Sequence, residues 1–172
     1  MNISGIKHKK TKIAAKYHSF LKLYIEQENK MNEMLSYTMI YCHNKCHMKP
    51  VGCCSSDWSE HGLKNRHILK LFRKLRGIAK KTGKEPCPWH STKKGCMLKM
   101  LKTPVCIGMF CPSIISFLKD NFAIKYDRAE FTGYFENILK GNINKNKIDH
   151  FNRVIDKMVN AFEKKKSVFT RL

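Results

Sequence analysis

Eight cysteines dominate the residues of this chain that could do chemistry. They fall within one interval of the 172-residue sequence, and the positions before and after it hold none. The first block is Cys42, Cys46, Cys53 and Cys54, and the second is Cys87, Cys96, Cys106 and Cys111. Thiolates ligate structural zinc and iron–sulfur clusters, and reducing compartments keep thiols free of disulfides. The clustering therefore predicts that all eight cysteines are metal ligands.

The spacing of the cysteines bears on which metal they bind. Structural zinc sites often use repeated CxxC turns, and this sequence contains no CxxC. Iron–sulfur clusters tolerate wider spacings and often have a proline after a ligating cysteine, as in Cys111-Pro112. These features favour an iron–sulfur cluster of the [4Fe-4S] type, with Zn²⁺ as the alternative. Eight thiols suffice for two four-thiolate sites or for one site with spares, and the sequence leaves that division open.

Histidines also accompany the cysteines. His43 and His47 each follow a cysteine and lie four residues apart, so they could replace thiolates in a zinc or Rieske-like site. The preferred interpretation places them on the surface or around the site, because the thiols already suffice. The histidines in or beside the cysteine region are His43, His47, His61, His67 and His90.

Conventional catalytic motifs are missing from the sequence. It contains no phosphate-binding loop, no GxSxG elbow and no HExxH helix. Asp57, Glu60 and Glu85 are the carboxylates of the cysteine region, and their spacing suggests no acid–base pair. No catalytic residue is predicted, and the question of enzymatic activity stays open. An enzyme here would use the cluster itself, in a redox or methyl-transfer reaction.

The elements that must position the cysteines are predicted to be helices. Apolar residues at helical spacing predict helices over about 11–37, 62–81 and 147–166, and shorter ones that begin at Ser113 and Asp127. The helix from Asp127 should end near Gly141, and no useful strand alternation occurs. The expected fold class is mainly α, a small helical bundle with an inserted loop-rich, cysteine-rich metal-binding module. We expect a single domain over 1–172, with an N-terminal helix in 1–41, the cysteine-cluster module in 42–112 and C-terminal helices in 113–172.

The chain is strongly basic. Its 34 Lys and Arg residues against 13 Asp and Glu residues give a formal net charge of +21. Residues 42–103 hold 15 of the basic and 3 of the acidic residues, so the excess concentrates around the cysteines. Metal–thiolate charge would offset only a small part of it. Two explanations of the remaining charge stay open. One is a solvated surface whose number of lysines is increased by biased codon usage. The other is an anionic partner: an acidic protein or complex, or RNA or a ribonucleoprotein.

The sequence also bears on location. Residues 1–16 are rich in lysine and lack the apolar run of a secretory signal. No stretch approaches the roughly 20 apolar residues that a membrane span needs. A cytoplasmic protein is expected. A mitochondrial one is the alternative, because no acidic residue precedes Glu26.

The second cysteine block resembles that of the YkgJ-type cysteine-cluster family. Cys87-Pro88-Trp89 is similar to the family's Cys-Pro-Phe, Cys96 and Leu98 match its next cysteine and apolar residue, and Cys106 keeps its ten-residue step. The resemblance extends over about 42–112 and implies a bound metal or iron–sulfur cluster with the eight cysteines as ligands. It implies no settled reaction, although members are often labelled Fe–S oxidoreductases and flagellin lysine methylases carry a related pattern.

Three hypotheses follow from the sequence. The first is an iron–sulfur protein with a structural or electron-transfer role that docks on a larger partner. The second is a zinc-stapled basic module that binds RNA or a ribonucleoprotein. The third is a cluster-dependent redox or methyl-transfer enzyme.

Overall fold

The computed structural model describes residues 15–45, 59–77, 87–91 and 95–170, and this part of the chain is mainly helical, as predicted. None of its helices combines the length and the apolar composition that crossing a bilayer requires. The predicted loop-rich module spans stretches 46–58, 78–86 and 92–94, which lie outside the described residues. The insertion of this module between the helices stays a prediction, and so does the single domain over 1–172.

The described residues form seven helices and one very short pair of strands, joined by turns and loops. The helices are α1 (Ala15–Lys45), α2 (Arg66–Arg76), α3 (Pro104–Gly108), α4 (Pro112–Phe122), α5 (Arg128–Lys140), α6 (Lys145–Lys164) and α7 (Lys166–Thr170). The strands β1 (His90–Ser91) and β2 (Gly95–Cys96) pair antiparallel, with His90 opposite Cys96. The expectation of no long strand is met in this part of the chain.

Helix ends that carry a local sequence signal fall at the predicted position or, at the start of α4, one residue before the predicted Ser113. Asp127 accepts hydrogen bonds from the backbone N–H groups of Ala129 and Glu130 and so begins α5. Gly141 ends the same helix with a left-handed φ of 71°, a conformation that glycine adopts without strain. Pro112 is the first residue of α4, where its missing N–H costs no hydrogen bond.

Two predicted helices have different ends. Helix α1 continues to Lys45, eight residues beyond the predicted end at Tyr37, so it runs through the position of Cys42. Helix α2 was predicted over 62–81 but begins at Arg66, because the Asn65 side chain accepts from two N–H groups of its first turn. It ends before Gly77, whose φ of 79° is incompatible with a continued helix.

Helix α1 is the central element. It packs against α4, α5, α6 and α7. Tyr24 on α1 is fully buried and meets Phe72 of α2 and Phe135 of α5 edge-on, with ring centroids 5.6 Å and 5.2 Å away. A second group of buried aromatic rings joins the C-terminal helices; it comprises Phe117, Phe122, Phe162 and Phe169. The first group of rings joins α1 to α2 and α5, and the second joins α4, α6 and α7 to one another.

Helix α3, which the sequence analysis did not predict, packs closely against α5 at Gly108. A Cβ atom at Gly108 would lie 2.5 Å from Oγ1 and 3.0 Å from the backbone nitrogen of Thr132. We therefore expect Gly108→Ala to lower the free energy of unfolding by about 1–3 kcal/mol, because the helices must move apart. Urea unfolding followed by far-UV circular dichroism measures the change.

Gly133 provides the matched control for that substitution. It lies in the interior of α5 beside Thr132, and a Cβ atom there would meet no atom within 4 Å. Gly133→Ala should leave stability unchanged or raise it by about 0.5–1 kcal/mol, through the higher helix propensity of alanine. Equal destabilisation by both substitutions would contradict a specific contact at Gly108.

Candidate metal centre

The second cysteine block begins at a turn that leads into the β1–β2 hairpin. Cys87 is buried at the start of this turn, and Cys96 is the exposed last residue of β2. The backbone N–H of Met97 donates to the carbonyl of Trp89 at 2.7 Å, which extends the pairing beyond the strands. The hairpin thus returns the chain toward Cys87 and brings the two cysteines to one end of it.

Cys106 and Cys111 follow on short helical segments. Cys106 lies in the first turn of α3, where its N–H donates to Oγ1 of the capping residue Thr103 at 3.2 Å. Cys111 precedes α4 at its capping position, and its half-buried side chain packs against the hydrophobic core. Cys87, Cys96, Cys106 and Cys111 are all thiols rather than disulfides.

The surroundings of Cys106 show which thiols the fold brings together. Burial raises the pKa of the Cys106 thiol to about 11, against the lowering effect of the Thr103 hydroxyl. Charges on Cys96 and Cys87 raise the same pKa further. The sulfurs of Cys87 and Cys96 therefore each lie within electrostatic range of the Cys106 sulfur. Cys111 is not among the groups that act on Cys106.

The first cysteine block is only partly described. Cys42 lies on the last turns of α1, and its side chain is not among those described. Cys46, Cys53 and Cys54 lie outside the described residues. Within residues 15–45, 59–77, 87–91 and 95–170, no group of three or more Cys, His, Asp or Glu side chains is placed so that it could hold a metal ion. The predicted set of eight ligands stays a prediction.

The predicted histidines can be located in part. His61 and His67 are exposed, and the ring of His67 lies over that of Tyr17 at a centroid distance of 6.5 Å. His90 lies on β1 with its backbone described. His43 belongs to α1 by its backbone, and His47 lies outside the described residues. None of these placements assigns a histidine as a ligand.

The segment between Cys96 and Cys106 is held by a buried carboxylate from α1. Glu28 accepts hydrogen bonds from the backbone N–H groups of Leu101 at 2.5 Å and Lys102 at 2.9 Å. Its Oε1 also lies 3.6 Å from Nζ of Lys102, which in turn donates to Asn32 at 3.0 Å. The Glu28 side chain is 1% exposed, so these contacts replace its lost hydration.

The backbone carbonyls of the same segment accept hydrogen bonds from α2 and from a tyrosine of α1. The Arg76 guanidinium donates to the carbonyl of Leu101, with Nε at 2.8 Å, and to the carbonyl of Ser59 at 2.6 Å. The hydroxyl of Tyr24 donates to the carbonyl of Lys102 at 2.5 Å. Leu101 adopts a left-handed φ of 59°, which is costly for a residue with a Cβ atom. The surrounding hydrogen bonds explain why this conformation persists.

The charged groups of this network also act on one another and on the thiols. Burial raises the pKa of the Glu28 carboxyl, although the Lys102 ammonium and the backbone N–H groups act in the opposite direction. Burial lowers the pKa of Arg76, and Cys106, Tyr24 and Glu28 act to raise it. Arg76 therefore places a positive charge within electrostatic range of the Cys106 sulfur. That charge would stabilise a thiolate or an anionic metal–thiolate group there.

The sequence analysis missed Glu28 and Arg76. A signal for Glu28 was available, because it occupies a position on the apolar face of α1 between Tyr24 and Met31, both fully buried. An acidic residue on a buried face needs partners, and here they are backbone N–H groups more than 70 residues away in sequence. Helix α3 also had a local signal, a capping Thr103 followed by Pro104.

Comparisons with known proteins add no relative to this description. No family model, no curated protein and no solved structure matches the chain. The resemblance to the YkgJ-type family and the ligand set that it implies therefore stay expectations.

Proposed function

We propose that this chain is a thiolate metal-binding protein that holds an iron–sulfur cluster, with zinc as the alternative metal. The supporting observation is that Cys87 and Cys96 each act electrostatically on the Cys106 thiol. The connecting segment is fixed by buried groups from α1 and α2, as an accurately positioned site requires. The proposed ligands are Cys42, Cys46, Cys53, Cys54, Cys87, Cys96, Cys106 and Cys111.

The chemistry of the cysteine thiols fits an iron–sulfur cluster or a zinc ion. Three thiols supply soft ligands, which suit both zinc and iron–sulfur clusters, and a further cysteine would complete four-coordination. An iron–sulfur cluster would supply one-electron transfer, and zinc would supply structural bonds alone. Buried Cys87 and Leu98 would shield one side of the site from water. Arg76 would balance part of the negative charge of the thiolates.

The role proposed for the bound cluster or metal ion is structural, or is the transfer of electrons. The chain offers no second constellation that would make a substrate-transforming site among its described residues, and the cluster-dependent enzyme is supported by the sequence pattern alone. An acidic protein partner, onto which the helices would dock, is part of the same proposal. Its support is the net charge of the chain.

Metal and acid-labile sulfide analysis of anaerobically purified protein tests the proposal. Iron with matching sulfide and broad visible absorption is expected. Stoichiometric zinc in a colourless sample would support the zinc alternative and contradict the cluster. A variant in which Cys87, Cys96 and Cys106 are all serine is the control, and it should carry less metal than the parent protein. Absence of both metals from the parent, after reconstitution with each, would overturn the proposal.

A further inference from the structure

Helix α2 presents a row of basic side chains to solvent. Ile68 and Phe72 are buried on one side of the helix, which fixes the opposite side outward. Arg66, Lys70 and Lys74 are exposed there at successive four-residue steps. Each step advances about 6 Å along the helix axis, so the row is about 12 Å long.

This basic row lacks local neutralisation. Helix α2 contains no acidic residue. The carboxylate of Glu60 is occupied by Arg73, which donates to both of its oxygens at 2.6 Å. No carboxylate among the described residues forms an ion pair with Arg66, Lys70 or Lys74. Like charges four residues apart destabilise a helix, and a negative ligand bound along the row would remove that repulsion.

Helix α6 shows the contrast. It is also basic, but Asp149, Asp156 and Glu163 interrupt its Lys and Arg residues. One of these, Asp156, forms an ion pair with Lys30 of α1 at 2.7 Å. Its exposed bases are therefore typical of a mixed, solvated surface, whereas the row on α2 has a single sign of charge.

Aromatic and apolar groups lie at the N-terminal end of the basic row. The exposed ring of His67 is stacked on Tyr17 with an interplanar angle of 22°. Beside it lies a cleft of about 460 Å³, lined by both apolar and polar residues. Among its lining residues are Tyr17, Phe20, Leu63, Lys64, Ile68 and Lys140. Its volume lies within the range of small-ligand sites.

We propose that the basic row of α2 and the adjoining cleft bind single-stranded RNA. Arg66, Lys70 and Lys74 contact successive phosphates, and an unstacked base enters the cleft against the Tyr17–His67 ring pair. Phosphate contact explains the single-sign row, and base stacking explains aromatic rings at its end. An acidic peptide would use the row, but its carboxylates would leave the rings without a stacking partner, whereas every nucleotide carries a base. A duplex keeps its bases stacked and cannot fill the cleft.

The test measures binding of a fluorescein-labelled single-stranded RNA of mixed sequence to the full-length, metal-loaded protein over a range of salt concentrations. The variant replaces Arg66, Lys70 and Lys74 together by glutamine. We expect the variant to lose at least about tenfold in affinity at low salt. The slope of log affinity against log salt should become shallower by about 2, since each single-strand phosphate contact contributes about 0.7.

A matched variant separates this surface from general positive charge. Lys147, Arg153 and Lys157 are exposed on α6, and their joint replacement by glutamine removes the same charge. We expect this control to keep the affinity and slope of the parent within about twofold. Equal weakening by both triple variants would overturn the assignment to α2.

Two further measurements test the kind of ligand. His67→Ala should weaken RNA binding by at least about fivefold and leave the salt slope unchanged, because it removes stacking rather than charge. Duplex RNA of the same sequence should bind more weakly than the single strand. Competition by polyglutamate as strong as that by RNA would overturn the proposal in favour of an acidic protein partner.

Discussion

Glu28→Met should lower the free energy of unfolding by about 3–5 kcal/mol, the largest loss expected from any single polar residue described here. The substitution leaves the buried N–H groups of Leu101 and Lys102 without their acceptor. It also removes the carboxylate from the Lys102 ammonium, whose side chain is only 14% exposed. Urea unfolding of the parent and the variant under one buffer condition measures the difference.

A graded variant and a control make this result specific. Glu28→Gln keeps one carbonyl oxygen and presents an N–H₂ group to the second backbone donor, so its cost should be smaller, about 1–3 kcal/mol. Glu33→Gln makes the same chemical change at an exposed position of α1 and should alter stability by less than about 0.5 kcal/mol. Equal stability of Glu28→Gln and Glu33→Gln would show that the carboxylate does not hold the segment.

The same series bears on the metal site. Glu28 fixes the backbone that joins Cys96 to Cys106 through its hydrogen bonds to Leu101 and Lys102. The proposed metal affinity should therefore fall in parallel with stability along the series of Glu28 variants, since site geometry and folding share this segment. The Glu33 variant should bind metal like the parent.

Local signals account for what the sequence predicted correctly about the fold. An Asp at the capping position, a Pro at the first helical residue and a Gly after the last one each act within a few residues. Asp127 and Gly141 accordingly begin and end α5 at the predicted places, and α4 begins at Pro112, one residue before the predicted Ser113. The amphipathic pattern of α6 likewise placed it correctly to within two residues at each end, at Lys145–Lys164.

What the sequence left unpredicted depends on contacts between distant residues. No periodicity shows that Glu28 accepts from the N–H of Leu101, or that Arg76 donates to the carbonyl of the same residue. The apolar pattern of α1 weakens after Tyr37, yet the helix continues to Lys45 and carries the position of Cys42. For the candidate site, spacing identified the thiols, but the convergence of Cys87, Cys96 and Cys106 is a property of the folded chain.

Cys106→Ser should remove bound metal from the proposed site and lower the melting temperature to that of the metal-free protein. Metal-binding energy is folding energy when the site forms only in the folded state, so loss of a ligand lowers both. Anaerobic metal analysis and thermal unfolding followed by circular dichroism measure the two effects. Val105→Ala is the control, since it trims a half-buried neighbour on α3 that carries no donor atom. It should retain full metal content even where it lowers stability.

The high pKa of Cys106 gives the same prediction a second readout. Because burial raises that pKa to about 11, the metal-free protein holds Cys106 as a neutral thiol near neutral pH. A bound metal must displace this proton. Release of the Cys106 proton therefore makes the apparent Co²⁺ affinity rise about tenfold for each pH unit, as long as the pH is below the pKa. Cys106→Ser should bind Co²⁺ more weakly, and the binding that remains at high Co²⁺ concentration should have a slope of log affinity against pH that is lower by about one. Co²⁺ serves as the spectroscopic probe of thiolate ligation. A slope that is equal in parent and variant, with metal retained, would exclude Cys106 as a ligand.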